Sequence, residues 1–306
     1  MGKESRGSVL SVITRNLSFL EHGCSKTERS CFIIESANLF CNIYSSLAVA
    51  KSGIMNTKYV WFIRYIKLIR RNSMRYTINP EVFALNPQLH FGILVGKGLK
   101  NTESKSADTL RLRTAENSVR QIIQAEELRN HPIVQGYRNT MEKAGINPNK
   151  YPASTEAMLK RVLKGASLPD INALVDLCNA VSIENQISLG GHDLRDIHED
   201  LSVCFTKGTE RFLPFGAAEY ESVDAGELVF TSGDIVQTRK WIWRQSELGK
   251  MTLDTQDVFF QLVGFEDNEG SPLMQALSSL EQLITERFGG QYRRYIVKQS
   301  NPDIEF

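Results

Sequence analysis

The chain has few of the residue groupings on which most enzyme chemistry depends. Its five cysteines, at positions 24, 31, 41, 178 and 204, form no CxxC pair. Neither a zinc site nor a disulfide framework can be read from them, and a reducing cytoplasm is the expected compartment. There is no Walker loop, no GxGxxG after a strand, no HExxH, no GxSxG and no metal-spaced Cys/His set. That removes the signatures of phosphate-loop nucleotide binding, dinucleotide binding, zinc peptidases and serine hydrolases, and neither a metal nor a cofactor is expected. Long apolar runs are also missing. The most apolar stretch, 31–50, is interrupted by Glu35, Asn38 and Asn42, whereas a membrane helix needs about 20 mostly apolar residues. It starts too late for a signal peptide, and no cleavage-like pattern follows a charged leader. Internal repeats and low-complexity blocks are absent as well.

What remains is the composition of a globular chain, 42% hydrophobic and 23% charged over 306 residues. Charge divides it. Residues 1–73 carry 11 Lys and Arg against 4 Asp and Glu; the rest of the chain carries 25 against 31. The first part is rich in Ser and Asn, lacks a core pattern, and holds a basic, aromatic run at 58–71 of the kind that lies on membranes or RNA. It is expected to be a disordered or non-native extension, with Met74 as the natural start and 74–306 as a single domain. The acidic balance of that domain means that a nucleic-acid partner must be held by a local basic patch.

From Met74 onward the pattern predicts a strand at 89–95, helices at 114–128 and 133–144, and a helix at 155–163 with Ser154 as its N-cap and Gly165 as its stop. Short β-rich segments follow at 202–206, 227–231, 235–238, 240–243 and 258–263, with a hairpin turn at Ser232-Gly233-Asp234. An amphipathic helix at 273–288 ends at Gly289-Gly290. The expected class is α+β, a mixed or antiparallel sheet core with flanking helices.

The most informative segment lies between these groups. Asn172, Asp176 and Asn179 recur at i, i+4 and i+7 on a helix that Leu174, Val175, Leu177, Cys178 and Val181 mark as buried. Polar groups there cost about 1–3 kcal/mol each if unpaired, so they either bridge backbone groups and fix the fold or face a pocket. Gly190-Gly191-His192-Asp193 follows. Paired glycines permit close backbone approach and can aim amides at an oxyanion, or simply make a turn. His192 is a candidate base. On a strand at 240–243, Trp241 and Trp243 would share a face and stack a base, or pack in the core. Thr252 and Thr255 either order a water or cap a turn. Arg239, Lys240, Arg244 and Gln245 offer phosphate-type donors, as do Lys160, Arg161 and Lys164 on the earlier helix; Arg287, Arg293, Arg294 and Lys298 form a further basic group.

The run from Leu168 to Ser182, LPDINALVDLCNAVS, resembles the central motif of the editing, tRNA-binding domain of the phenylalanyl-tRNA synthetase beta subunit, and more closely the free-standing proteins built from that domain. Residues 151–157 (YPASTEA), 161–165 (RVLKG), 190–194 (GGHDL), 239–245 (RKWIWRQ) and 252–255 follow the same order, so the resemblance spans about 74–300. Relatives usually carry Tyr at Cys178, Tyr or Phe at His192 and Asn at Ile242, and the His192 departure counts against a catalytic histidine. The resemblance implies the same α+β fold and a tRNA or aminoacyl-tRNA partner, with no membrane or DNA. It also implies hydrolysis of mischarged aminoacyl-tRNA, with Asn179, Gly190, Gly191 and Thr252 as catalytic candidates. Asn172, Asp176, His192, Trp241 and Trp243 become substrate contacts, and Lys160, Arg161, Lys164, Arg239, Lys240 and Arg244 tRNA contacts. The synthetase's ATP-dependent motifs are missing, so the chain is not expected to charge tRNA. A non-catalytic RNA-binding module with a small-ligand pocket is the alternative.

Overall fold

The computed structural model describes residues 73–266 and 272–306. The expectations for residues 1–72, including the apolar stretch and the basic run, lie outside the described residues. The architecture is α+β. One four-stranded antiparallel sheet runs in the order β11 (Gln291–Lys298), β2 (Leu89–Lys97), β10 (Val258–Phe265), β3 (Ser188–Asp193). Its two central strands, LHFGILVGK and VFFQLVGF, are buried almost throughout. Both faces of the sheet must therefore be covered, which is why neither strand shows a clean polar alternation.

One face takes the helices. α6 (Pro272–Phe288) packs on β2 and β10, α5 (Ala173–Glu184) packs on α6 and β3, and α2 (Ser106–Ile122) packs on α5. The opposite face meets a second, mixed sheet in the order β12 (Asp303–Glu305), β1 (Arg75–Ile78), β4 (Leu201–Phe205), β7 (Leu228–Ser232), β8 (Ile235–Arg239), β5 (Arg211–Phe212), β6 (Glu221–Ser222), with β9 (Arg244–Gln245) also on β8. Aromatic rings fill the seam. Tyr76 meets Phe259 at 5.1 Å, and Phe230 stacks on Phe259 at 6.0 Å. The Tyr76 hydroxyl donates to Gln261 Oε1 at 2.6 Å, which satisfies two buried polar groups at once. α1 (Pro80–Leu85) follows β1. α3 (Pro132–Lys143) packs on β10, and α4 (Ser154–Leu163) packs on α2, α5 and β3.

Three local expectations fail. The helix expected at 114–128 runs instead over Ser106–Ile122, because Asp108 reaches back to accept from the Lys105 amide at 2.8 Å and starts it earlier. Its buried stripe is Leu112, Ala115, Glu116 and Val119, and Ile122 is exposed. Ser154 does not cap α4. Ala153 holds that position, and the Ser154 amide is satisfied by the Ile242 carbonyl at 2.8 Å. Residues 240–243 are a turn, not a strand. Lys240 and Trp241 adopt φ of 50° and 68°, a left-handed conformation that non-glycine residues avoid unless tertiary contacts impose it.

Candidate functional site

The polar row proves to be the start of a helix. Asn172 is the N-cap of α5: its Oδ1 accepts from the Val175 amide at 3.1 Å and from Asn101 Nδ2 at 3.0 Å, and its Nδ2 donates to the Met251 carbonyl at 3.2 Å. Asn101 in turn donates to the Thr252 carbonyl at 2.8 Å. Asp176 is fully buried and accepts from Ser104 Oγ and, at 2.9 Å, from the Ile171 amide. Burial raises its pKa against the pull of these hydrogen bonds. The polar atoms of Asn172 and Asp176 are therefore spent on joining helix, loop and sheet. Replacing Asn172 by Ala should cost about 1–2 kcal/mol in urea unfolding, the usual loss for a cap; an unchanged midpoint would mean the contacts carry no net energy. Asn179 differs. It is half-buried on α5, and its amide forms no hydrogen bond among the described residues.

The pleat of β3 separates the glycine pair. β3 is the edge strand, paired only with β10, in the register Gly190↔Gln261, Gly191↔Phe260, His192↔Phe259. Neighbouring residues point to opposite faces. Gly191 therefore lies on the helix face, where a Cβ would sit 2.6 Å from Met251 Sδ. Its carbonyl accepts from Gln245 Nε2 at 2.9 Å. In an antiparallel pair successive amides alternate between ladder and edge, so Gly190 and Gly191 cannot both aim their N–H groups at one oxyanion. That part of the sequence expectation is corrected.

Gly190 and His192 face the second sheet. His192 is 2% exposed, and its ring meets Phe230 edge-on at 4.9 Å. Burial pushes its pKa down to about 3, so it is a poor base, and the general-base reading is corrected too. It has another use. Gln245 Nε2 donates to the Gly191 and Gly249 carbonyls at 2.9 and 3.3 Å and faces His192 Nδ1 at 3.4 Å. Nε2 lies 3.6 Å from the point where a Gly190 side chain would begin, and nothing else lies within 4 Å of that point. Glycine at 190 thus leaves the space beside His192 Nε2 open.

One further residue belongs to this cluster, and the sequence carried no sign of it. Gln237 on β8 is fully buried, with neither side-chain atom hydrogen-bonded among the described residues. Its Oε1 and His192 Nδ1 lie 2.9 and 3.5 Å from the same point beside Gly249. A Gln within a β-rich segment carries no signal of its own. The pairing of β8 with β9 sets it near Gln245, and only the seam between the sheets brings it beside His192.

The other candidates lie elsewhere. Thr252 and Thr255 hold a turn: the Thr252 amide donates to Thr255 Oγ1 at 2.8 Å, and Thr255 Oγ1 donates to Asp193 Oδ2 at 2.7 Å. Trp241 is fully buried, edge-on to Tyr137 at 6.1 Å, so it shares no face with Trp243 and offers no stacking surface. Trp243 is half-buried against Tyr151 at 4.8 Å. Arg239 and Lys240 are committed to the buried Glu227, at 2.7 Å from Arg239 Nη2. Arg244, Lys160, Arg161 and Lys164 are exposed. Burial pushes the Cys178 thiol well up, so it is no nucleophile. Among the described residues no group of three or more His, Cys, Asp or Glu could hold a metal, and no helix is long and apolar enough to cross a membrane.

No curated protein matches the chain. A solved N-terminal fragment of the phenylalanyl-tRNA synthetase beta subunit from Pyrococcus horikoshii aligns with 71% of it at 13% identity and a TM-score of 0.36, and the chain spans half the length of that fragment. Residues 136–274, which include most of α3, all of α4 and α5, β3, Gln237, Gln245 and the whole Gly190–His192 edge, match the B3/4 domain.

Proposed function

We propose that the chain binds tRNA and hydrolyses the ester of mischarged aminoacyl-tRNA in the cytoplasm. The observation that carries the reading is the B3/4 match over residues 136–274, which encloses the polar edge of β3. On this reading the ester carbonyl enters the opening at Gly190 and accepts from His192 Nε2. A neutral imidazole held in place by Gln245 donates without changing charge, the kind of preorganised donor that stabilises a developing oxyanion. Gln245 is thus a positioning residue. β3 is an edge strand, so a substrate lying along it meets both faces, and Asn179 contributes its open amide from the helix side. With His192 a poor base, the attacking water is activated by the free hydroxyl of the terminal ribose.

The pairing of Asn172, Asp176 and Thr252 within the fold favours the second reading, a module that binds tRNA without turnover. One experiment separates the two. The full chain is incubated with tRNAs carrying different amino acids, and ester loss is followed beside tRNA affinity. Hydrolysis of one or a few species, reduced about tenfold by Asn179→Ala with affinity retained, is the expected result. Binding without ester loss across the panel would leave the module reading standing, and no binding at all would remove both.

A further inference from the structure

The basic groups differ in what already neutralises them. Glu227 takes Arg239 and Lys240. Asp108 takes Arg287 at 2.9 Å, and Glu281 takes Arg294. A cation whose charge is met inside the protein has little left for a phosphate. Arg129, Lys160 and Lys164 are different. They are exposed, and no carboxylate lies within 4 Å of them among the described residues. Together they line a cleft of about 230 Å³ between the turn Leu128–Asn130 and α4, with Glu126 and Glu156 as its acidic residues. Glu156 is turned inward to Arg138 at 2.8 Å and does not neutralise the lysines.

The cleft continues into an aromatic surface. Arg129 Nη2 donates to Asn149 Oδ1 at 2.7 Å, and Lys150 follows in the chain. Lys150 Nζ lies 5.1 Å from the Tyr151 ring centre, and that ring abuts the half-buried Trp243, which is followed by the exposed Arg244. Unpaired cations leading to part-exposed aromatic rings match a chain of phosphates carrying bases that can stack. An acidic protein would use the cations and leave the rings without a role.

We propose that Arg129, Lys160 and Lys164 form the track for the RNA phosphate backbone and lead it to Tyr151 and Trp243. This rests on the reading of the chain as a tRNA-binding protein and names the surface that does the binding. It also excludes Arg239, Lys240, Arg287 and Arg294 as phosphate contacts.

The test measures tRNA affinity of the full chain by fluorescence anisotropy across a salt series. Lys160→Gln with Lys164→Gln should weaken binding about tenfold or more and reduce the slope of log affinity against log salt by about 2, one phosphate per lysine. Arg293→Gln with Lys298→Gln, two exposed cations on β11, should leave both quantities unchanged. Thermal melts check that all variants fold. Binding by the parent chain with an equal loss for both pairs, or none for the lysine pair, would overturn the track and spare the tRNA reading. Failure of the parent chain to bind tRNA would remove both. Polyglutamate binding through Lys160 and Lys164 as tightly as tRNA would overturn the assignment to RNA.

Discussion

Replacing His192 by phenylalanine should flatten one part of the acid stability profile and abolish most ester hydrolysis. The folded-state pKa of about 3 lies far below the ordinary 6.5, through burial. Between those values the unfolded chain binds the proton and the folded chain does not. Stability is therefore fully present above pH 6.5 and falls as pH drops below it, by about 1.4 kcal/mol per unit. Between pH 6.5 and 4.5 the loss amounts to about 2 kcal/mol. Phenylalanine keeps a ring against Phe230, and Gln245 keeps its bond to the Gly191 carbonyl. Urea unfolding at pH 7 and pH 4.5 should show a steep drop for the parent chain and a shallow one for His192→Phe. On the proposed mechanism the same variant removes the Nε2–H donor and should lose about 10²–10³ in hydrolysis rate, the scale for removing one oxyanion donor. Parallel pH profiles would rule out a buried neutral histidine, and retained hydrolysis would rule out its donor role.

Glu227→Ala should be the most destabilising single change in the second sheet, at about 3–5 kcal/mol. Glu227 accepts from Arg239 Nε at 3.0 Å, Arg239 Nη2 at 2.7 Å, the Lys240 amide at 3.2 Å, and Lys240 Nζ. Truncation leaves Lys240 without its carboxylate and Arg239 with Glu221 alone, at 3.4 Å, and each cation is less than a fifth exposed. It also removes the anchor of the turn in which Lys240 and Trp241 hold positive φ. Burial alone would raise the pKa of Glu227, but hydrogen bonds from Arg239 and Lys240 outweigh it and bring the pKa below 4.5. Its contribution is therefore present above pH 4.5 and disappears as pH falls through the lowered value. That window opens at pH 4.5, well below the pH 6.5 at which the His192 contribution begins to fall, so between these values only the His192 variant alters the profile. A loss below about 1 kcal/mol would show that solvent already screens the trio.

Periodicity was a good guide wherever one element decides its own burial. The helices at Pro132–Lys143 and Pro272–Phe288 and the strands Leu89–Lys97 and Val258–Phe265 follow from local pattern to within a few residues. It failed where a distant group intervenes. Nothing near Trp241 in the chain announces that Glu227 will pull Arg239 and Lys240 into a turn. The strand Gln291–Lys298, QYRRYIVK, is too charged to read as a strand and exists because β2 offers it a full ladder.

The sequence by itself determined that the chain is α+β and that the polar row Asn172, Asp176 and Asn179 stands out on an otherwise apolar helix. Those properties depend on residue type and short-range spacing. The tertiary structure alone decided that Asn172 and Asp176 are tied into the fold and that the two glycines face opposite ways. It also decided that His192 is buried beside Gln237 and Gln245 with a lowered pKa, and which cations remain unpaired. Each of these depends on pleat register, burial or a carboxylate distant in the chain, and such quantities are set only when separate elements pack against one another.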